Sequence, residues 1–290
     1  MNISIKKLTK TYGKKTSLTD LSFQLEEHKI YGLLGRNGAG KTTLMHIIAG
    51  HILPTTGTVK LNNENPFNNR KLLENICLIN ETDNFPTTLK VKEVLKTASL
   101  FYPNWCARTS QSLLKEFKLD ETVKVKALSK GMVSSLGIII GLASRAAITI
   151  FDEPYIGLDA AMRARFYEIL LEEYEAHPRT IILSTHLIDE VSNLFEEVLI
   201  LQEGELVLQM TTDELKERSM MIHGKSEDVR TFTQGKNVLS EKEFMGQLTA
   251  VLYGENYNFA DAKRLGLSVE QVHIQDLMIH LTSNKGGVVA

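Results

Sequence analysis

The chain opens on alternating apolar and polar positions. Through "NISIKKLTKTYGKKTSLTDLSFQLEEHKIYGLLG" this alternation predicts several strands, and the unbroken apolar run Ile30–Leu34 predicts a strand buried on both faces. Directly afterwards "GRNGAGKTT" leads into Leu44, Ile47 and Ile48, which share one helical face. Gly50 and "PTTG" at 54–57 stop that helix before a strand at Thr58–Leu61. From about Val91 to Gly141 helical periodicity dominates, with "VKEVLKTASLF" and "TSQSLLKEFKL" as amphipathic pieces, and the stretch reads as a helical insertion. Strand patterns return at Ala147–Phe151 and Thr180–Ser184, separated by a helix around 160–176, and again at Glu197–Leu201 and Leu206–Leu208 on either side of Glu203 and Gly204. Alternation of this kind predicts a mainly parallel, three-layered α/β domain. Beyond about residue 215 the pattern changes, and "SMMIHGK", "KEFMGQLTAVLYG" and "SVEQVHIQDLMIHLTS" predict a small α+β appendage.

Composition narrows the function classes. At 290 residues the chain can bury a sizeable core as one large domain, or as one domain with an appendage. Lys and Arg number 33 against 35 Asp and Glu, and the net charge of −2 gives no electrostatic reason to expect nucleic acid as a partner. Cys77 and Cys106 lack CxxC or His/Cys spacing, which argues against a disulfide framework or zinc site and suits a reducing cytosol. The opening "MNISIKKLTK" lacks the apolar core of a signal peptide. The most apolar region, 136–151, is broken by Ser144 and Arg145, so no membrane span is expected. His223, His273 and His280 are scattered singly and suggest no ligand set.

The chemistry concentrates in two places. Gly35, Arg36, Asn37, Gly38, Ala39, Gly40, Lys41 and Thr42 fit G-x-x-x-x-G-K-S/T, and Thr43 follows. The motif begins where a buried strand ends and a helix starts, which is where successive N–H groups can turn around a phosphate and the helix N-terminus adds partial positive charge. In such a loop Lys41 reaches the β- and γ-phosphates of a nucleotide, and the Thr42 hydroxyl ligates Mg²⁺. Ile148–Phe151 is followed by Asp152 and Glu153, two acids where a second buried strand emerges. Asp152 is expected to hold Mg²⁺ through water, and Glu153 to orient and deprotonate the attacking water.

Six elements in order resemble the nucleotide-binding subunits of ABC transporters over about residues 1–210: Tyr12, Gly35–Thr43, "LSKGM" at 128–132, "ITIFDEP" at 148–154, "GLD" at 157–159 and "STH" at 184–186. The short "LSKGM", with "SRAAITIFDEPYIGLDA" and "ILSTHLIDEVSNLFEE", looks most like single-cassette exporters of Gram-positive bacteria, including those of phenol-soluble modulin peptides. The resemblance implies a P-loop NTPase core at 1–215 with an antiparallel β subdomain and a helical subdomain at about 84–145, followed by an accessory α+β domain at 216–290. It implies ATP and Mg²⁺ as cofactors and a homodimer, or a pairing with a closely related ATPase subunit. It also implies a separate integral membrane subunit, which holds the chain on the cytoplasmic face of the cell membrane.

The same resemblance assigns roles to single residues. Tyr12 stacks on adenine. Ser129 and the Gly131 N–H reach the γ-phosphate from the opposite copy, although read alone they form a helix-opening turn. Asp159 passes between the two sites and couples them, and His186 touches the γ-phosphate and the water held by Glu153. Exported amphipathic, cytolytic or antimicrobial peptides are the cargo this likeness suggests.

Four positions depart from the family pattern. Glu81 stands where most relatives carry a Gln beside Mg²⁺, and it is either an oxygen ligand or a plain loop acid. Lys130 and Met132 replace the usual Gly and Gln of the signature, and His28 occupies a frequent Gly position. A soluble ATP-driven switch acting on ribosomes or DNA is the alternative function, but such relatives carry two cassettes or a long coiled-coil insertion. A small-molecule kinase would leave "LSKGM" and "STH" without a role.

Overall fold

The computed structural model describes residues 1–82, 84–254, 257 and 259–283. Its first elements are β1 (Ile3–Tyr12), β2 (Lys15–Leu25), β3 (Ile30–Leu34), α1 (Lys41–Ile48), β4 (Thr56–Leu61), α2 (Arg70–Leu73) and β5 (Ile76–Ile79). Three helices follow, α3 (Val91–Phe101), α4 (Ala107–Glu116) and α5 (Lys130–Ala143), which fill the predicted helical insertion. Then come β6 (Ile148–Asp152), α6 (Ala160–Ala176), β7 (Thr180–Ser184), α7 (Ile188–Val191), β8 (Glu197–Gln202) and β9 (Glu205–Thr211).

A six-stranded sheet of order β5-β6-β7-β3-β8-β9 forms the middle layer, parallel except for β9, which runs antiparallel to β8. Because successive residues of a strand point to opposite faces, its apolar runs feed two cores. Ile30, Leu34, Ile181, Leu183, Val198 and Ile200 enter one core, which is shared with the helices, including α5 and α6. Tyr31, Leu33, Ile182, Leu199 and Leu201 enter the other, shared with α1 and the antiparallel sheet β2-β1-β4. Burial on both faces explains why these strands read as continuous apolar runs rather than alternating ones.

Two strands exceed their sequence signal. β4 starts at Thr56, before the apolar positions begin, because Thr56 pairs with Thr9 on the neighbouring strand. β9 extends over Glu205–Thr211 where the pattern marked only Leu206–Leu208, since six of its seven residues are half-buried on the sheet edge and carry little period.

The remaining elements are α8 (Thr212–Glu217), β10 (Ser219–Lys225), α9 (Ser226–Thr233), β11 (Val238–Phe244), β12 (Gln247–Tyr253), α10 (Phe259–Arg264), β13 (Ser268–Glu270) and α11 (Ile274–Ser283). An antiparallel sheet of order β11-β12-β10-β13 covers a small core of Met220, Ile222, Phe232, Leu248 and Leu252. Ile274, Leu277 and Leu281 of α11 bury into the main core instead, and Gln202 Nε2 donates to the Thr282 carbonyl over 3.0 Å. Among the described residues no helix is long and apolar enough to cross a membrane.

Candidate nucleotide site

The parallel strands end on one edge of the sheet, the place where open α/β sheets bind ligands. β3 runs into residues 35–40 and then α1. Gly40 has φ 102°, and a Cβ there would meet the Ser17 carbonyl oxygen at 2.7 Å, so the turn needs a glycine. No side chain caps α1, which leaves its first N–H groups facing the loop. Ala39 N–H donates to the Arg36 carbonyl over 3.1 Å, and the Ala39 carbonyl accepts from Gly204 in the β8–β9 turn, also at 3.1 Å.

Lys41 is buried within this loop, and its Nζ donates to the Gly35 carbonyl at 2.7 Å and to that of Arg36 at 3.4 Å. Burial lowers its ammonium pKa from the ordinary lysine value, and the nearby charges of Glu153 and Asp152 oppose that shift. The loop therefore holds a cation whose partners are neutral carbonyls, which favours exchange for an anionic ligand.

At the ends of β6 and β7 the two acids occupy different surroundings. Asp152 accepts from Thr42 Oγ1 at 2.7 Å and from Ser184 Oγ at 2.6 Å, one hydroxyl on each carboxylate oxygen. Glu153 has φ 50°, a left-handed conformation rare for residues with a side chain, and its N–H donates to Ser184 Oγ at 3.1 Å. Its Oε2 accepts from the Tyr155 hydroxyl at 2.7 Å and touches His186 Nδ1. Tyr155 is only 3% exposed, and burial raises its phenol pKa, so it remains a neutral donor.

A cavity of about 360 Å³ lies between these groups. Asn37 through Thr43, Glu81, Asp152, Glu153 and His186 line it, together with Lys15, Ser17 and Ile156, which no sequence motif marked. Lys15 and Ser17 arrive from β2, where Ser17 Oγ lies 3.0 Å from Thr43 Oγ1. Gly35 and Arg36 lie behind the loop, as partners of Lys41. Tyr12, 46% exposed, stands outside the cavity at the end of β1, with Lys10 Nζ 4.9 Å from its ring centroid.

Three further candidates also lie outside the cavity wall: Ser129, Gly131 and Asp159. Ser129 caps α5 by accepting from the Met132 N–H at 3.2 Å, and Asp159 caps α6 by accepting from the Met162 N–H at 2.8 Å. Arg163 ties this turn to the segment after His186. Its guanidinium grips both Glu190 oxygens at 2.9 and 2.7 Å and donates to the Leu158 carbonyl at 3.2 Å. That ion pair raises the Arg163 pKa and lowers that of Glu190.

Comparison with known proteins agrees with this geometry. The ABC transporter family profile matches residues 18–156. The bacitracin transport ATP-binding protein BcrA of Bacillus licheniformis is 33% identical over 215 residues, covering 73% of this chain and 70% of the relative. The lantibiotic transport ATP-binding protein SrtF of Streptococcus pyogenes is 32% identical over 213 residues, covering 73% of this chain and 91% of the relative. A solved structure titled as the ATP-binding subunit of an ABC transporter superposes with a TM-score of 0.67 at 26% identity, over 74% of this chain and 92% of that one. The loop after β3 and the paired acids after β6 thus sit in a known setting, and the chain belongs to the ABC transporter family as one of its ATP-binding, ATP-hydrolysing proteins.

Proposed function

We propose that this chain supplies the energy for an exporter, binding and hydrolysing ATP on the cytoplasmic face of a cell membrane while a separate integral membrane subunit carries the cargo. The convergence of Lys41, Thr42, Asp152, Glu153 and His186 on one cavity carries the reading. Lys41 exchanges the Gly35 and Arg36 carbonyls for β- and γ-phosphate oxygens, Tyr12 stacks on the adenine, and residues 37–43 wrap the phosphates with backbone N–H groups. Glu153 takes the proton of the attacking water, and His186 contacts the γ-phosphate.

The donor set suits Mg²⁺. The Thr42 hydroxyl and the Asp152 carboxylate already share a hydrogen bond, and Glu81 offers another oxygen on the same wall. When bound, Mg²⁺ offsets the negative charge of the β- and γ-phosphates.

Ser129 and Gly131 do not line the cavity of their own chain. A second copy placed head to tail brings them to the γ-phosphate, and Asp159 couples the two sites across the interface. Hydrolysis removes the phosphate that both copies grip, and the released binding energy opens the pair. Amphipathic or antimicrobial peptides are the cargo, in keeping with relatives named for bacitracin and lantibiotic transport.

Detergent extraction of cells expressing a tagged chain tests the assignment. Recovery of a stoichiometric integral membrane protein is the expected result. Recovery with ribosomes or DNA, and no membrane protein, would replace the exporter with a soluble switch.

A further inference from the structure

The Tyr155 hydroxyl sits at the centre of the two side chains assigned to the chemistry, and its hydrogen bonds can be counted. A phenol has one hydrogen to donate and two lone pairs to fill. Glu153 Oε2, 2.7 Å away, can only accept, so it takes the hydrogen. The Thr185 hydroxyl at 2.9 Å and the His186 backbone N–H at 3.0 Å donate to the two lone pairs. Nothing remains for His186 Nδ1, 3.2 Å from the same oxygen, which instead turns its own N–H toward Glu153 Oε2.

The ring adds a second constraint. It stands edge-on to the His186 imidazole, with centroids 5.6 Å apart, and its backbone carbonyl accepts from Leu158 N–H at 3.0 Å. One buried side chain thereby joins the end of β6 to the end of β7. Among the described residues, the hydrogen bonds of the Glu153 carboxylate to Tyr155 and His186 both fall on Oε2.

We propose that Tyr155 is a positioning residue for ATP hydrolysis, whose hydroxyl holds Glu153 and His186 in one arrangement with the imidazole proton on Nδ1. Oε1 of Glu153 and Nε2 of His186 are then the atoms presented to substrate. This rests on the reading of Glu153 as the base and His186 as the γ-phosphate contact. A phenylalanine would fill the same space, so only the hydroxyl distinguishes positioning from packing.

Tyr155→Phe and Glu153→Gln are to be compared with the unaltered chain in steady-state hydrolysis and in binding of a non-hydrolysable ATP analogue. A hydrogen bond to a charged group is worth about ten- to a hundredfold in rate. Tyr155→Phe should lose that much in kcat, with KM and analogue affinity within about twofold. If Glu153→Gln is inactive while Tyr155→Phe turns over at the unaltered rate, the positioning role fails and the assignment of the base stands. Unaltered turnover in Glu153→Gln overturns the base and the positioning role together.

Nitrogen NMR of histidine-labelled chain at pH 8.5, with His186 assigned by its loss in His186→Gln, supplies a readout made on the unaltered site. A proton on Nδ1 is expected, and a proton on Nε2 would overturn the inference.

Discussion

Gly131 and Gly157 meet backbone to backbone. A Cβ on Gly131 would lie 2.3 Å from the Gly157 carbonyl oxygen, and one on Gly157 would lie 2.7 Å from the Gly131 nitrogen. The turn that opens α5 and the turn that leads to Asp159 are therefore packed directly against each other, with no room for a side chain between them. Gly131→Ala must push them apart, which typically costs about 1–3 kcal/mol in a packed region. Hydrolysis should fall while ATP binding to the single chain persists, because Gly131 does not line the phosphate cavity. Nucleotide titration alongside steady-state turnover checks this, and equal loss of both would contradict it.

Lys41→Ala removes the cation buried in the loop. The charge-assisted contact to phosphate proposed for it would be worth about 1.5–3 kcal/mol, so affinity for ATP should drop by about ten- to a hundredfold, read by fluorescence of a labelled nucleotide. Mixing Lys41→Ala with Ser129→Arg chains adds a test of the pairing. A trans role for Ser129 predicts that one composite site is rescued, whereas a cis role predicts none.

Asp152 accepts one hydroxyl on each oxygen, from Thr42 and Ser184. Asp152→Asn keeps one acceptor and turns the other into a donor, which sets it against a hydroxyl or the metal. The Mg²⁺ concentration for half-maximal hydrolysis should rise by about tenfold or more, with metal-free nucleotide binding little changed. A Mg²⁺ titration that superposes on that of the unaltered chain would remove Asp152 from the metal site.

His28 stands in the turn before β3 with φ 61°. Its backbone N–H donates to Thr180 Oγ1 at 3.2 Å and its carbonyl accepts from Tyr174 at 2.6 Å, so backbone contacts hold this conformation. A side chain in the left-handed region costs about 1 kcal/mol relative to glycine. His28→Gly should therefore raise the melting temperature by about 2–4 °C without altering turnover. A fall in melting temperature would show that the imidazole has a stabilising contact.

The alternation of apolar runs and helical pieces makes the layered architecture legible, because β3, β6 and β7 are each buried along their whole length. The phosphate loop and the acids after β6 are legible for a related reason: each lies in one short stretch whose spacing is the chemistry. Lys15, Ser17 and Tyr155 carry no such local signal. Ser17 meets Thr43 across 26 residues and Tyr155 meets His186 across 31, and only folding brings those pairs together. His28 is legible in the backbone only through the family resemblance, since the glycine frequent at its position is what points to a positive φ. The docking of α11 into the main core is similarly hidden, because an amphipathic helix does not reveal which core receives its apolar face.

Glu153 is proposed to drive hydrolysis at a site closed by a second copy of the chain. The most direct measurement is ATP binding, turnover and molar mass by light scattering on one preparation of Glu153→Gln with Mg²⁺ and ATP. Unaltered ATP affinity, turnover below about 1% of the parent chain, as loss of an essential group in the transition state implies, and a stable dimer in ATP are expected. Parental turnover from a monomeric Glu153→Gln would contradict it.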